Sequence, residues 1–503
     1  MAQLFKQKLK EIVYVPVRYR HGPDHWAMLK KKNKPKDKAL EHFNEFYASV
    51  YGANWEDIRT ALLQEESKYV AVTNNFSDAE KARSKLETAG ALNLKSIYKT
   101  FADHIRSCEK KNINTKYGMT NNGLQEKTPN ASNVPLSDTP AVYPADYPLS
   151  KSLQKSLPEE DEVIEDPQGM KPMPLQSIDT DLNEIAIDEH RIIHPSTTTS
   201  ALYEFVPATK LKGADDWVYE SDYYKHYSKG SNFSINVEKE SDLRFPEYLN
   251  VYSFEENNYT RFPSPKKGST GVLDYYLFDG GSILPVLALD LQAGDVVLDM
   301  CAAPGGKALA ILQTLLPKLL VVNDISQSRI KRLHGVINQY ISDMAKLDDK
   351  IFVTKSDARY IADKDVYNKI LVDAPCTTDR HVLHSDDNNL FKGPRVKERL
   401  QIPELQTEIL TNALKLVAVG GTVVYSTCTL SPIQNDGVVQ MALKNTWEQS
   451  DSIMVVKDMT EALQPLKYLY QFGNAGLKYG HIVVPTSKKN WGPLYFCKIV
   501  RVR

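Results

Sequence analysis

From about Asp242 to the C-terminus, short apolar runs alternate with segments of helical periodicity, and this alternation restricts the fold more than any other feature of the chain. The words "DVVLDM", "LLVVNDI", "KIFVTKSDA", "NKILVDAPC" and "TVVYSTCTL" read as strands, and "GGKALAILQTLL", "SQSRIKRLHGVINQYI" and "PELQTEILTNALKLV" as helices. Strands that alternate with helices build a parallel, doubly wound α/β sheet. The final stretch, "HIVVPTSKKNWGPLYFCKIVRVR", reads as two strands joined by a polar turn and predicts an antiparallel strand at the sheet's edge.

Upstream the patterns differ. Residues 1–35 carry nine Lys and Arg against Glu11 and Asp24, and read either as a mitochondrial presequence or as a basic arm. Over residues 36–110 the apolar spacing is helical. Leu40, Phe43, Phe46, Tyr47 and Val50 recur at intervals of three and four, and Ser77 or Asp78 precedes a further helical run. Residues 111–241 are rich in Pro, Ser, Asp and Glu, a composition with too little apolar surface to offset the entropy of ordering it. A flexible insertion is expected there, with residues 242–503 forming the α/β domain.

Bulk composition excludes several classes. No apolar run approaches the ~20 residues needed to span a bilayer. The net charge of −1 gives no global signature of nucleic-acid binding, so any such affinity must come from local patches or a partner. Five cysteines, Cys108, Cys301, Cys376, Cys428 and Cys497, are odd in number and contain no CxxC pair, which argues against a disulfide framework or zinc site.

In doubly wound sheets ligands bind at the carboxyl ends of the strands. The first strand ends at Asp299 and runs into Cys301-Ala302-Ala303-Pro304-Gly305-Gly306-Lys307, small residues that let backbone approach a ligand. It is neither GxGxxG nor a phosphate loop. The next strands end near Asp324, Asp357 and Asp373. Each of these carboxylates alone has the ordinary role of a helix N-cap. Together they suit a nucleoside cofactor, with Asp324 on the ribose hydroxyls and Asp357 near an adenine amino group. Cys376 follows the fourth strand and Cys428 ends the fifth, and neighbouring strands lie ~4.8 Å apart. Both thiols are therefore expected in one cleft, whereas Cys108 and Cys497 read as small buried hydrophobes.

"LDMCAAPGGK", "VNDIS", "SDA", "VDAPC" and "YSTCTLSPIQND", in that order from about Arg261 onward, resemble the motifs of the Sun-domain RNA (cytosine-5) methyltransferases. "DAPCTTDRH", "NNLFK", "RFPSPKKGSTGVLDYYLFD" and "KYVAVTNNF" look like the mitochondrial ribosomal-RNA branch of that family. The resemblance implies a seven-stranded class I methyltransferase sheet and S-adenosyl-L-methionine as cofactor. It carries cofactor contacts to the loop from Cys301 to Lys307 and to Asp324, Arg329, Asp357, Ala358 and Asp373. It implies Cys428 as the nucleophile on C6 of cytosine, in a site expected to favour the thiolate, Asp373 on N3 of the base, and Cys376 in release of the adduct. By position alone the two cysteines are interchangeable. Gln434 and Asp436 stand where the family often has Glu, a change expected to affect packing more than chemistry.

Arg380, His381, His384, Lys392, Arg395, Lys397 and Arg399 form a basic stretch after Cys376, read here as a loop gripping the RNA backbone. The resemblance further implies a mitochondrial matrix location, action on small-subunit ribosomal RNA, and a heterodimer with a mitochondrial transcription termination factor family protein. Methylation of transfer RNA and a non-catalytic role in ribosome assembly are the competing expectations.

Overall fold

A computed structural model describes residues 34–118, 235–341, 349–473 and 476–503. The basic arm (residues 1–33) and residues 119–234 of the expected insertion lie outside the described residues. In chain order the strands are β1 (Tyr69–Thr73), β2 (Leu92–Asn93), β3 (Asn236–Lys239), β4 (Val251–Ser253), β5 (Tyr275–Asp279), β6 (Val296–Asp299), β7 (Leu319–Asn323), β8 (Ile351–Thr354), β9 (Tyr367–Asp373), β10 (Val417–Thr427), β11 (Met454–Asp458), β12 (His481–Val483) and β13 (Leu494–Arg501).

The main sheet has the order β3-β11-β13-β10-β9-β6-β7-β8, with β12 paired to β13. From β10 to β8 every neighbouring pair is parallel. The expected antiparallel pair β12–β13 is present, but β13 is not an edge. It lies between β10 and β11, antiparallel to both, and β3 is the outermost strand on that side. Its residues explain the interior place: Leu494 to Cys497 and Ile499 are buried, a continuous run suited to a strand covered on both faces.

Side chains of successive strand residues point to opposite faces, and two cores result. Val297, Leu371, Val424 and Phe496 face one core, with the helices Ile283–Ala288 and Gly306–Gln313. Leu298, Ile370, Val372, Val423, Tyr425 and Tyr495 face the other, with the helices Val396–Leu416 and Val438–Gln449. The helix Val396–Leu416 begins a full two turns before Pro403, where the sequence placed its start. Pro403 sits inside it, and its carbonyl accepts from the Thr407 hydroxyl at 2.8 Å.

The N-terminal segment also departs from expectation. Its helices, Pro35–Tyr51, Trp55–Leu63, Ala79–Thr88 and Leu94–Gly118, are joined by strand β1. β1 pairs antiparallel with β4 and β5 in a second, four-stranded sheet of order β2-β4-β1-β5. The stripe Ala39, Phe43, Tyr47 and Tyr51 of the first helix is buried in the second core, among main-sheet residues. Likewise β3, upstream of the boundary expected at 242, pairs with β11. The helices Pro35–Tyr51, Trp55–Leu63 and Leu94–Gly118 and strand β1 therefore share cores with the main sheet, whereas the helix Ala79–Thr88 packs in a separate cluster with Tyr252 and Tyr275. Among the described residues, no helix is long and apolar enough to cross a membrane.

Candidate active site

The carboxyl ends of β6, β7, β9 and β10 face one cleft, and the loop after β6 forms its floor. Gly305 has φ +115°, a conformation L side chains rarely adopt, and a Cβ there would come within 2.8 Å of Leu333 Cδ1. At Gly306 a Cβ would meet Tyr276 Oη at 3.1 Å. The loop is held from below. Ala302 N donates to the Asn323 carbonyl at 2.8 Å, and the Arg329 guanidinium donates to the Ala303 carbonyl at 2.6 Å. Arg329 also pairs with Asp324 at 3.3 Å. Asp324 is buried and accepts from Ser326 N at 2.9 Å, so it turns the chain into the next helix while lining the cleft.

Asp357 is less free than its place in the sequence implies. It caps the short turn Ala358–Tyr360, accepting from Arg359 N at 3.0 Å, and pairs with the Arg359 guanidinium at 2.7 Å. Hydrogen bonds from the Arg359 side chain hold its carboxyl below the usual range. Ala358 is buried beside it.

Asn323 was not singled out in the sequence, yet it is fully buried and ties three strand ends together. Its amide donates to the carbonyls of Met300 (3.0 Å) and Ser356 (2.9 Å), and its oxygen accepts from the Thr354 hydroxyl and Ser356 N, both at 2.9 Å. The available signal was a polar residue ending the apolar run "LLVV".

Asp299 is 1% exposed, and its two oxygens have no well-formed hydrogen bond. Burial and then the neighbouring Asp373 push its carboxyl up to about 8. Cys301, in the floor of the cleft, is pushed up by burial and then by Asp299, Asp324 and Asp373. Asp299, Asp324 and Asp373 thus surround a backbone cradle, with Asp299 largely neutral at pH 7. Among the described residues no group of His, Cys, Asp and Glu could hold a metal ion.

Register brings the thiols together. β9 and β10 pair in parallel with Asp373 opposite Ser426, so Cys376 and Cys428 leave adjacent strand ends. Their sulfurs are 3.1 Å apart, and Cys428 N donates to Cys376 Sγ at 3.3 Å. Asp373 accepts from Lys307 Nζ and from Ser426 Oγ, both at 2.8 Å. Lys307, assigned above to the cofactor loop, therefore reaches the thiol side of the cleft. The expectation that the site favours the Cys428 thiolate is reversed here. The contact with Cys376, then burial and the charge of Asp373, raise the thiol well above its ordinary value, and Lys307 only partly offsets them.

The basic stretch after Cys376 is largely committed to the protein itself. Arg380 donates to the Gly492 carbonyl at 2.9 Å, Asn490 Oδ1 at 2.5 Å and the Ala61 carbonyl at 3.3 Å. His384 meets the Leu62 carbonyl at 2.7 Å, His381 meets the Asp387 carbonyl at 3.0 Å, and Arg395 pairs with Glu398 at 2.6 Å. Arg399 lies over the Phe391 ring at 4.6 Å. Of the basic residues named, His381, His384 and Lys397 are exposed, and Lys397 stands on the helix rather than in a loop. Gln434 likewise does more than pack: its oxygen accepts from Thr377 N at 3.2 Å, next to Cys376. Asp436 does not touch the cysteines. It accepts from Gly480 N at 3.1 Å and Tyr495 Oη at 2.6 Å.

A glycine cradle, an acidic row and a thiol pair at the carboxyl ends of a mostly parallel sheet define a class I methyltransferase site. The sequence profile of the family described as "16S rRNA methyltransferase RsmB/F" matches residues 286–471. The chain is 32% identical over 484 residues to "5-cytosine rRNA methyltransferase nsun-4" of Caenorhabditis elegans, covering 95% of this chain and 94% of that protein. It is 43% identical over 256 residues to "5-cytosine rRNA methyltransferase NSUN4" of Mus musculus, covering 50% of this chain and 67% of the relative. With "tRNA (cytosine(34)-C(5))-methyltransferase, mitochondrial" of Danio rerio it is 38% identical over 245 residues, 48% of this chain and 65% of the relative. The chain belongs to the Sun-domain family of RNA (cytosine-5) methyltransferases. It is an RNA cytosine-5 methyltransferase, and its cofactor is S-adenosyl-L-methionine.

Proposed function

We propose that this protein methylates carbon 5 of a cytosine in ribosomal RNA, through a covalent adduct on Cys428 that Cys376 helps to resolve. The observation that carries this reading is the pair of sulfurs 3.1 Å apart beside Asp373. Carbon 5 of cytosine is a poor nucleophile. Addition of the Cys428 sulfur at C6 makes C5 enamine-like. S-adenosyl-L-methionine supplies the methyl group when bound, held by the Cys301–Lys307 loop and by Asp324, Arg329, Asp357, Ala358 and Asp373. Asp373, bonded to Lys307 and Ser426, holds N3 of the base as charge develops. Cys376 takes part in removing the C5 proton, the electrons return to the C5–C6 bond, and the Cys428 sulfur leaves.

The ribosomal substrate is supported by the 32% identity with the nematode protein over nearly the whole length of both chains. A mitochondrial location, small-subunit RNA, support of ribosome assembly, and a heterodimer with a mitochondrial transcription termination factor family protein belong to the same reading. The near-neutral net charge supports a basic partner. A second reading, transfer RNA, is favoured by the 38% identity with the zebrafish enzyme. Bisulfite sequencing of mitochondrial ribosomal and transfer RNA, with and without the protein, separates the two.

The cysteine roles are tested on a denaturing gel with labelled RNA. Cys428→Ser is expected to abolish both methylation and adduct. Cys376→Ser is expected to retain attack and accumulate enzyme covalently on RNA. Adduct from Cys428→Ser alone reverses the two assignments, and methylation by both variants rejects the covalent route.

A further inference from the structure

Behind the thiol pair lies a buried polar cluster that takes no direct part in the chemistry above. Asp379, three residues after Cys376, is fully buried. Its Oδ1 accepts from the Thr377 hydroxyl at 2.8 Å, inside the loop that carries Cys376. Its Oδ2 accepts from Leu430 N at 2.8 Å, in the loop that follows Cys428. The same oxygen accepts from Tyr47 Oη at 2.8 Å, on the N-terminal helix Pro35–Tyr51. Thr377 Oγ1 and Thr429 Oγ1, each adjacent in sequence to one of the cysteines, are 3.0 Å apart. Tyr51 of the same helix donates to the Leu430 carbonyl at 2.8 Å.

One buried carboxylate thus joins three segments distant in sequence, and two of them bear the reactive sulfurs. The backbone between Cys376 and Asp379 supplies an independent observation. Thr378 has φ +49°, in the left-handed region that a β-branched residue strongly disfavours. Such a conformation persists only where its surroundings over-determine it. Here Asp379 and Gln434 grip the loop on either side of Thr378, Gln434 through Thr377 N at 3.2 Å and Thr377 Oγ1 at 3.2 Å. Burial raises the Asp379 carboxyl, and the hydrogen bonds from Leu430 N, Tyr47 and Thr377 act against that rise.

We propose that Asp379 is a positioning residue for the reaction: together with Tyr47 and Thr377 it sets the distance and direction of Cys376 relative to Cys428, so that the N-terminal helix is a working part of the active site. The inference rests on the assignment of the two cysteines to the reaction, which their own serine variants test. Asp379 is fully buried and presents no surface to a ligand in the cleft. Its loss therefore changes the geometry of the sulfurs and leaves binding largely intact. Displacing a reacting group by ~1 Å costs up to about a hundredfold in rate.

The test compares Asp379→Asn, Tyr47→Phe and Thr377→Val in the full chain, with kcat and RNA KM from methyl transfer and cofactor Kd from calorimetry. In Asp379→Asn the amide N–H group either faces both Leu430 N and Tyr47 Oη at the Oδ2 position or, at the Oδ1 position, forces the Thr377 hydroxyl to accept where it had donated. Its kcat is expected to fall at least about tenfold, with KM and Kd within about twofold of the parent. Tyr47→Phe and Thr377→Val each remove one hydroxyl and are expected to lower kcat about threefold with the same split. Folded variants with parental kcat, or with raised KM at unchanged kcat, overturn the proposal. Should Asp379→Asn fail to fold, the other two decide by the same criterion. A methylating Cys428→Ser sinks the underlying reading, whereas normal kcat in the Asp379 series beside an inactive Cys428→Ser sinks this inference alone.

Discussion

At the residue scale, the two sulfurs had a shared location that could be read and a protonation state that could not. Adjacent strands place their ends side by side, so the shared cleft of Cys376 and Cys428 follows from strand order alone. The state of the thiol depends on everything around it. The contact with Cys376, burial and Asp373 all favour the neutral form, and Lys307, which opposes them, is bonded to Asp373. A thiol raised above its ordinary value is mostly protonated at pH 7, and its thiolate fraction grows about tenfold per pH unit until the raised value is reached. Single-turnover adduct formation on RNA is therefore expected to climb steadily from pH 7 to beyond pH 9, without a plateau near neutrality. A rate that levels off below pH 8 would show that the thiolate already prevails. Asn323 and Asp299 illustrate a different limit. A polar residue at a strand end looks the same in sequence whether it braces the loops, as Asn323 does, or sits without a well-formed hydrogen bond, as Asp299 does.

At the element scale, local patterns identified the helices and long-range pairing decided their surroundings. The period of three and four over Leu40 to Val50 marks a helix, and Pro35–Tyr51 is one. What that stripe packs against lies more than 300 residues away. Phe43 is 1% exposed, stacks on Tyr47 at 4.8 Å between ring centroids and meets Phe391 edge-on at 5.6 Å. Phe43→Ala would remove a buried ring and leave a cavity, a change of about 3 kcal/mol. Because Tyr47 on the same helix bonds Asp379, activity is expected to fall along with the unfolding midpoint. Parallel measurements of thermal unfolding and methyl transfer check this, and an unchanged midpoint would mean that the helix docks only loosely. Strand β1 shows the reverse failure. "YVAVT" is a short apolar run amid helical neighbours, and its partners are Val251–Tyr252 and Tyr275–Asp279, some 180 residues or more downstream. Nothing local distinguishes such a strand from a buried helical turn.

At the scale of the whole molecule, packing runs across the boundary expected at residue 242. Composition changes there because residues 111–241 are polar and Pro-rich, but the chain on the other side of that segment returns to the same cores. β1 completes the sheet that holds β4 and β5, β3 covers the edge of β11, and the helix Pro35–Tyr51 fills the second core between Phe391 and Leu430. A fragment of residues 242–503 would expose the apolar faces that Phe43, Tyr47, Ile58, Val70 and Val72 now cover, each at most 2% exposed. Five such side chains represent roughly 1.5–3 kcal/mol each of burial, comparable in sum with the whole stability of a domain. The fragment expressed alone is therefore expected to be aggregated or to lack a cooperative unfolding transition, and to show no cofactor binding by calorimetry. Co-expression with residues 34–118 is expected to restore solubility and binding, because the missing helices and β1 return without any chain connection. A soluble 242–503 fragment that binds S-adenosyl-L-methionine with the affinity of the full chain would show that the N-terminal elements are accessory and that composition had marked the true domain boundary.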